Sequence, residues 1–152
     1  MTRRIPRVLA RAPIPLFRWG FGFLMGGRLT MIEHRGRVTG QARYVVLEVL
    51  ERDPDGLVVV SGYGRGAQWY RNVLADPAVR VWSGRRRGAR ARATAIPAGE
   101  VPGRLEDYRR RHRRAAKALG RTLALPDLAA DRPLPADVGE RLPLVRIEYA
   151  AR

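Results

Sequence analysis

Between Arg43 and Arg52 the side chains sort into two faces, Val45, Leu47 and Val49 on one, Tyr44, Val46, Glu48 and Leu50 on the other. A period of two belongs to a β-strand, and one is predicted there. Asp53-Pro54-Asp55-Gly56 follows in residues that tolerate turn geometry, and Leu57 to Ser61 returns as a buried strand, so the two form a hairpin. Upstream, Leu29 to His34 reads as a short strand, joined to the first by a turn from Arg35 to Ala42. Downstream, Val79 and Val81 alternate with Arg80 and Trp82, a turn is predicted from Ser83 to Gly88, and Ala89 to Ile96 alternates small with basic residues. The arginines of that hairpin are expected on a solvated sheet face. Leu144 to Tyr149, apolar and β-branched, is predicted to close the chain as a last strand.

Where the period changes, helices are expected. After the glycine-rich GYGRG, Gly62 to Gly66, the residues Trp69 and Val73 and the helix-ending Pro77 fit a short helix of about two turns. From Pro102 to Leu119, the residues Leu105, Tyr108, His112, Ala115 and Leu119 recur at helical steps, which predicts one helix with these on a single face. His112 then packs at the apolar seam, and Arg109, Arg110, Arg111, Arg113 and Arg114 cover the rest. A proline-rich, acidic connection, LPDLAADRPLPADVGERLP, leads to the last strand. About six short strands with one helix inserted between hairpins predict a mainly β (α+β) domain over residues 29–152, a small antiparallel barrel with a few flanking helices.

Residues 1–28 form a separate apolar and basic segment. Pro6, Pro13, Pro15, Arg11 and Arg18 interrupt it, so it lacks the clean apolar stretch of roughly 7 to 15 residues of a secretory signal and the ~20 of a membrane span. Cytoplasm is the expected location. The segment is expected to pack, in part as helix, on its own domain; peripheral contact with the inner face of a membrane through Leu16, Phe17, Trp19, Phe21, Phe23 and Leu24 is the alternative.

Composition then narrows the chemistry. Lysine and arginine together number 30 against 14 acids, a net charge of +16, and Lys117 is the only lysine. An excess of that size asks for an anionic partner: nucleic acid, anionic lipid, or a phosphorylated or carboxylated small molecule. The absence of cysteine excludes disulfides, thiolate nucleophiles and zinc knuckles. No HExxH, Walker loop or nucleophile elbow occurs, and the two histidines, His34 and His112, fall in different elements without a cluster of acids beside them. No metal site is expected, and no catalytic residue is assigned. An enzyme built from these residues needs a bound cofactor to carry the reaction.

One stretch suits an anion. In GRVTGQAR, Gly36 to Arg43, two glycines free the backbone to expose N–H groups, Thr39 adds a hydroxyl, and Arg37 and Arg43 flank the turn. SGYGRGAQW, Ser61 to Trp69, offers further backbone donors and ends at a helix N-terminus. Turns everywhere use such residues, and either loop alone is weak evidence.

Their order is more specific. GRVTGQARYVVLEVL followed about one hairpin later by VVVSGYGRGAQWYRNVLADPAVRV resembles the deazaflavin-dependent nitroreductase and quinone reductase family, which uses coenzyme F420. The resemblance covers about Leu29 to Ile96 and rests on the G-R-x-T/S-G-x-x-R turn and the W-Y-x-N-x-x-A-x-P-x-V run. It implies the split β-barrel fold of FMN-binding, pyridoxamine-oxidase-like proteins. By matching position it implies cofactor contacts from Arg37, Val38, Thr39, Arg43, Tyr44, Val45, Val46 and Leu47, from Val59, Val60, Ser61 and Gly62, and from Gln68, Trp69, Tyr70 and Asn72. The first turn would hold the phosphate and γ-linked glutamate tail, an anion that matches the arginine surplus, while Trp69 to Asn72 would back the deazaflavin. The implied activity is hydride transfer from reduced F420 to a small-molecule acceptor of quinone, enone or nitro type, with no specific nucleic acid partner. A non-enzymatic split-barrel protein for a lipid-like ligand and a basic nucleic-acid or membrane-binding module are the competing expectations. The oligomeric state is left open.

Overall fold

The computed structural model of the chain describes residues 28–151, so the expectations placed on residues 1–27 lie outside the described residues. Six strands, β1 (Leu29–Arg35), β2 (Ala42–Asp53), β3 (Gly56–Val60), β4 (Ala78–Ser83), β5 (Arg86–Ala95) and β6 (Leu144–Tyr149), close into a barrel in the order β1-β2-β3-β6-β5-β4. Every neighbouring pair is antiparallel. Closure leaves no unpaired strand edge. Helix α1 (Gln68–Ala75) stands between β3 and β4, and α2 (Val101–Arg111), α3 (Arg113–Thr122), α4 (Pro126–Ala129) and α5 (Val138–Arg141) fill the stretch between β5 and β6. Among the described residues no helix is long and apolar enough to cross a membrane.

Alternation along the strands builds two cores. Ile32, Leu47, Val49, Val81 and Ile147 meet Trp69, Tyr70 and Val73 of α1 inside the barrel. A second cluster lies under the helices, where Leu50 and Leu144 meet Leu105, Tyr108, Leu119 and Leu128. All five residues of β3 are buried, because Leu57 and Val59 belong to the barrel core while Val58 and Val60 belong to the cluster beneath the helices. A strand covered on both faces is continuously apolar in sequence, as this one is.

The helix expected from Pro102 to Leu119 is two helices. His112, with φ −137° and ψ 64°, lies between them; its N–H ends α2 on the Tyr108 carbonyl, and its own carbonyl accepts from Ala116 N at 2.8 Å to begin α3. Its ring is exposed and lies against Tyr108 at 5.4 Å between centroids, so it is not the seam residue that the spacing suggested. Arg109 to Arg114 contains no apolar side chain to hold a straight helix against the core, and its like charges repel. The break lets Leu105 and Leu119 reach one cluster from two helices.

Arg109 also departs from expectation, being buried. Its Nη1 donates to the carbonyls of Arg132 (2.7 Å) and Asp127 (3.2 Å), Nη2 reaches Glu106 at 2.5 Å, and Nε pairs with Asp131 at 3.1 Å. It clips the connection to α2. The turn placed over Ser83 to Gly88 is shorter, since Ser83 already pairs with Arg86. Gly84, at φ 59°, supplies the positive φ that a two-residue hairpin favours, so the strands pair up to it.

Candidate functional site

The turn between β1 and β2 closes on itself. Gly36 N donates to Gln41 O at 2.9 Å and Gly40 N to Gly36 O at 2.8 Å. Gly40 has φ 70°, a conformation costly to any residue with a Cβ. Gly36 is needed for space: a Cβ there would lie 2.8 Å from Thr39 Oγ1 and 3.3 Å from Arg43 Nε. The bare backbone therefore leaves a small cradle on which a hydroxyl and a guanidinium converge. Arg43 makes no hydrogen bond or ion pair among the described residues.

Arg37 ties the turn to α1. Its backbone N–H and its Nη1 both donate to Asn72 Oδ1, at 3.1 and 2.9 Å, and Nη1 also donates to Gln68 Oε1 at 2.9 Å. Gln68 and Asn72 are four residues apart in sequence, and that spacing puts both on one side of the helix. With Oδ1 facing Arg37, the amide of Asn72 turns Nδ2 toward His34 Nδ1, 3.1 Å away. His34 then accepts at Nδ1 and carries its proton on Nε2. The neutral ring fits its surroundings: burial, and after it the Arg43 charge, push its pKa from 6.5 down to about 4, with Glu33 pulling the other way. Four residues from three elements thus form one network around the turn.

The predicted set divides. Arg37, Gln68 and Asn72 are in contact, and Thr39 and Arg43 share their turn. Val38 is 88% exposed at its tip. Tyr44 donates to Glu33 Oε2 at 3.0 Å and meets Trp82 edge-on. Leu47, Val59, Trp69 and Tyr70 lie in the barrel core with Val45 packed against it, and Trp69 meets Tyr70 at 6.0 Å in a T-shaped pair. Val46 is half-buried, and Val60 faces the helices. Ser61 is buried and donates to Gly64 O at 2.7 Å, while a Cβ on Gly62 would come 2.7 Å from Leu123 Cδ2. In this second loop Gly64 N–H is already bonded to Ser61 O and Ala67 N–H to Gly64 O, which removes two of the donors expected for an anion. A hollow of about 610 Å³ lies elsewhere, lined by Lys117, Gly120, Arg121 and Arg132 among others, and no residue of the predicted set contributes to it.

His34 is the residue that motif reasoning passes over. A signal existed: it shares the strand parity of Ile32, which points into the barrel.

A family model described as F420H2-dependent quinone reductase matches residues 20–138. None of the curated proteins matches the chain. Among solved structures, an F420-H2 dependent reductase (FDR-A) is 19% identical, over 80% of this chain and 94% of its own, with a TM-score of 0.46. A protein of unknown function from Agrobacterium tumefaciens str. C58 gives a TM-score of 0.53 at 19% identity, over 99% of this chain and 59% of its own. The heme storage protein HutZ from Vibrio cholerae gives 0.51 at 14% identity, over 91% and 89%. At such identities the last two share the fold and nothing finer.

Proposed function

We propose that the chain, which belongs to the F420H2-dependent quinone reductase family, is a reductase that takes its electrons from reduced F420 and delivers them to a quinone, enone or nitro acceptor. The observation that carries this is the Gly36 to Arg43 turn, where Arg43 and Thr39 converge on a cradle that a Cβ would fill. A phosphodiester with a glutamate tail fits such a place, because a guanidinium without a protein partner gives a charge-assisted hydrogen bond to phosphate. When bound, the deazaflavin supplies a hydride, so the chain itself need furnish no nucleophile. Arg43, Thr39 and the free guanidinium edge of Arg37 would hold the anionic part. Asn72, fixed by His34, would hold Arg37. Leu47, Val59, Trp69 and Tyr70 support this from behind, as packed core that keeps α1 and β2 in place.

Equilibrium titration of oxidised F420 against folded protein tests the assignment. Arg43→Ala is expected to weaken binding by about 1.5–3 kcal/mol, roughly ten- to a hundredfold, the cost of a lost charge-assisted hydrogen bond. Arg37→Ala is expected to weaken it in the same range. Unchanged affinity in both variants contradicts the assignment of the turn.

A further inference from the structure

The hollow of about 610 Å³ that the cofactor turn does not use is lined by α3, α4 and the residues just after each. A smaller one of about 330 Å³ shares Lys117, Ala129 and Ala130 with it and adds Arg113 and Asp131, so the two form one concave surface. Lys117, the chain's only lysine, lies in both. Arg113, Lys117 and Arg121 stand four residues apart on one side of α3, about 6 Å from one to the next along its axis. Their side chains make no hydrogen bond or ion pair among the described residues. The acids nearby are already engaged: Asp131, the one acid in the lining, pairs with Arg109 Nε at 3.1 Å, and Asp127 pairs with Arg132 Nε at 3.1 Å.

Cations repeated at four-residue steps repel one another and weaken a helix. The helix dipole accounts for Arg121, in the last turn of α3, but disfavours Arg113 in the first. The backbone bears a second cost at the same place, since Ala124 in the larger part and Asp131 in the smaller both have φ 54°, and no other residue except glycine has positive φ among the described residues. Strain of this kind gathers where a site is shaped. Beside the cations, Ala124, Pro126, Ala129 and Ala130 offer a lining without a polar side chain. An inorganic anion would meet the charge and leave that lining uncovered, whereas an organic anion covers both. The volume is that of a small-molecule site.

We propose that the hollow beside α3 and α4 binds a small organic molecule bearing phosphate or carboxylate groups, with the anionic groups on Arg113, Lys117 and Arg121 and the apolar body on Ala124, Pro126 and Ala129. Calorimetric titration of the full chain with phenyl phosphate and with phthalate tests this, and the probe that binds tells phosphate from carboxylate. At least one is expected to bind, and inorganic phosphate at least tenfold more weakly, because it lacks the apolar body. Lys117→Gln combined with Arg121→Gln is expected to weaken the bound probe at least tenfold, the loss of charge-assisted hydrogen bonds. Arg90→Gln combined with Arg92→Gln removes the same charge from β5, outside the hollow, and is expected to leave binding within twofold. Arg43→Ala, at the cofactor turn, is expected to do the same. Ala130→Leu, which fills the hollow and keeps its charge, is expected to weaken binding as well. Circular dichroism checks that each variant is folded; if the Lys117 and Arg121 pair is not, Lys117→Gln alone replaces it. The proposal is overturned if neither probe binds, if inorganic phosphate binds as tightly, if the folded Lys117 and Arg121 variant binds as the original chain does, or if the β5 pair or Arg43→Ala weakens binding as much. No F420 enters the titration, so its outcome is independent of the reductase reading.

Discussion

Protonating His34 would put a positive charge beneath Arg43 in a buried site, and the protein resists it. The folded pKa near 4 lies below the ordinary 6.5, so between these values the unfolded chain binds the proton more readily. The stability contributed by neutral His34 is complete above pH 6.5 and is lost as pH falls toward 4. Asp53 acts lower: the hydrogen bond from Arg146 holds its carboxyl down to about 2 from 3.8, so its contribution goes between those values. Urea midpoints at neutral and mildly acidic pH, for the original chain and for His34→Gln, separate the two groups. The original chain is expected to lose more stability than the variant above pH 4, and equal losses would show that His34 is not held neutral. Asn72→Ala is expected to cost about 1–3 kcal/mol, because it leaves a buried ring nitrogen without its donor. Gln68→Ala, at an exposed position, is expected to stay within about 0.5 kcal/mol; denaturant unfolding of both checks the contrast. Sequence spacing flagged Asn72 through a motif but gave no partner for it. Its partners, His34 and Arg37, stand 38 and 35 residues away in the chain, and only closure of the barrel brings them near.

Elements that read clearly in the sequence are those whose two faces meet different surroundings. β2 shows its alternation because one face enters the barrel, and β3 reads as a buried run because both faces are covered. The helix layer was less legible. Helical spacing continues by count through His112, yet the chain bends there, since a run of basic residues supplies no apolar contact to keep it straight. Nor does composition reveal the two short helices in the proline-rich connection, which are held by contacts such as that of Gly120. A Cβ at Gly120 would lie 2.5 Å from Ala129 N and 3.0 Å from its Cα, against backbone that cannot yield cheaply. In a helix, glycine to alanine ordinarily gains up to about 1 kcal/mol. Here overpacking is expected to win, and Gly120→Ala should destabilise by about 1–3 kcal/mol in urea unfolding. A gain in stability would mean that α3 and α4 are not packed this closely.

For the molecule as a whole, the net charge of +16 includes two exposed features of the barrel: a compact turn whose Arg43 makes no hydrogen bond or ion pair among the described residues, and a β4–β5 hairpin with six arginines. Composition announced the excess but not its division, because strand order decides which arginines share a face. The family and barrel were legible because two motifs lie one hairpin apart; the acceptor was not, since no single motif encodes the space an acceptor occupies. Anaerobic oxidation of F420H2 by the full chain, followed at the deazaflavin absorption band on adding a quinone, tests the reductase reading most directly. Enzyme-dependent oxidation that is lowered by Arg43→Ala, with no turnover when NADPH replaces F420H2, is the expected result. Turnover with NADPH alone, or no oxidation of F420H2 with quinone, enone and nitro acceptors alike, would contradict it.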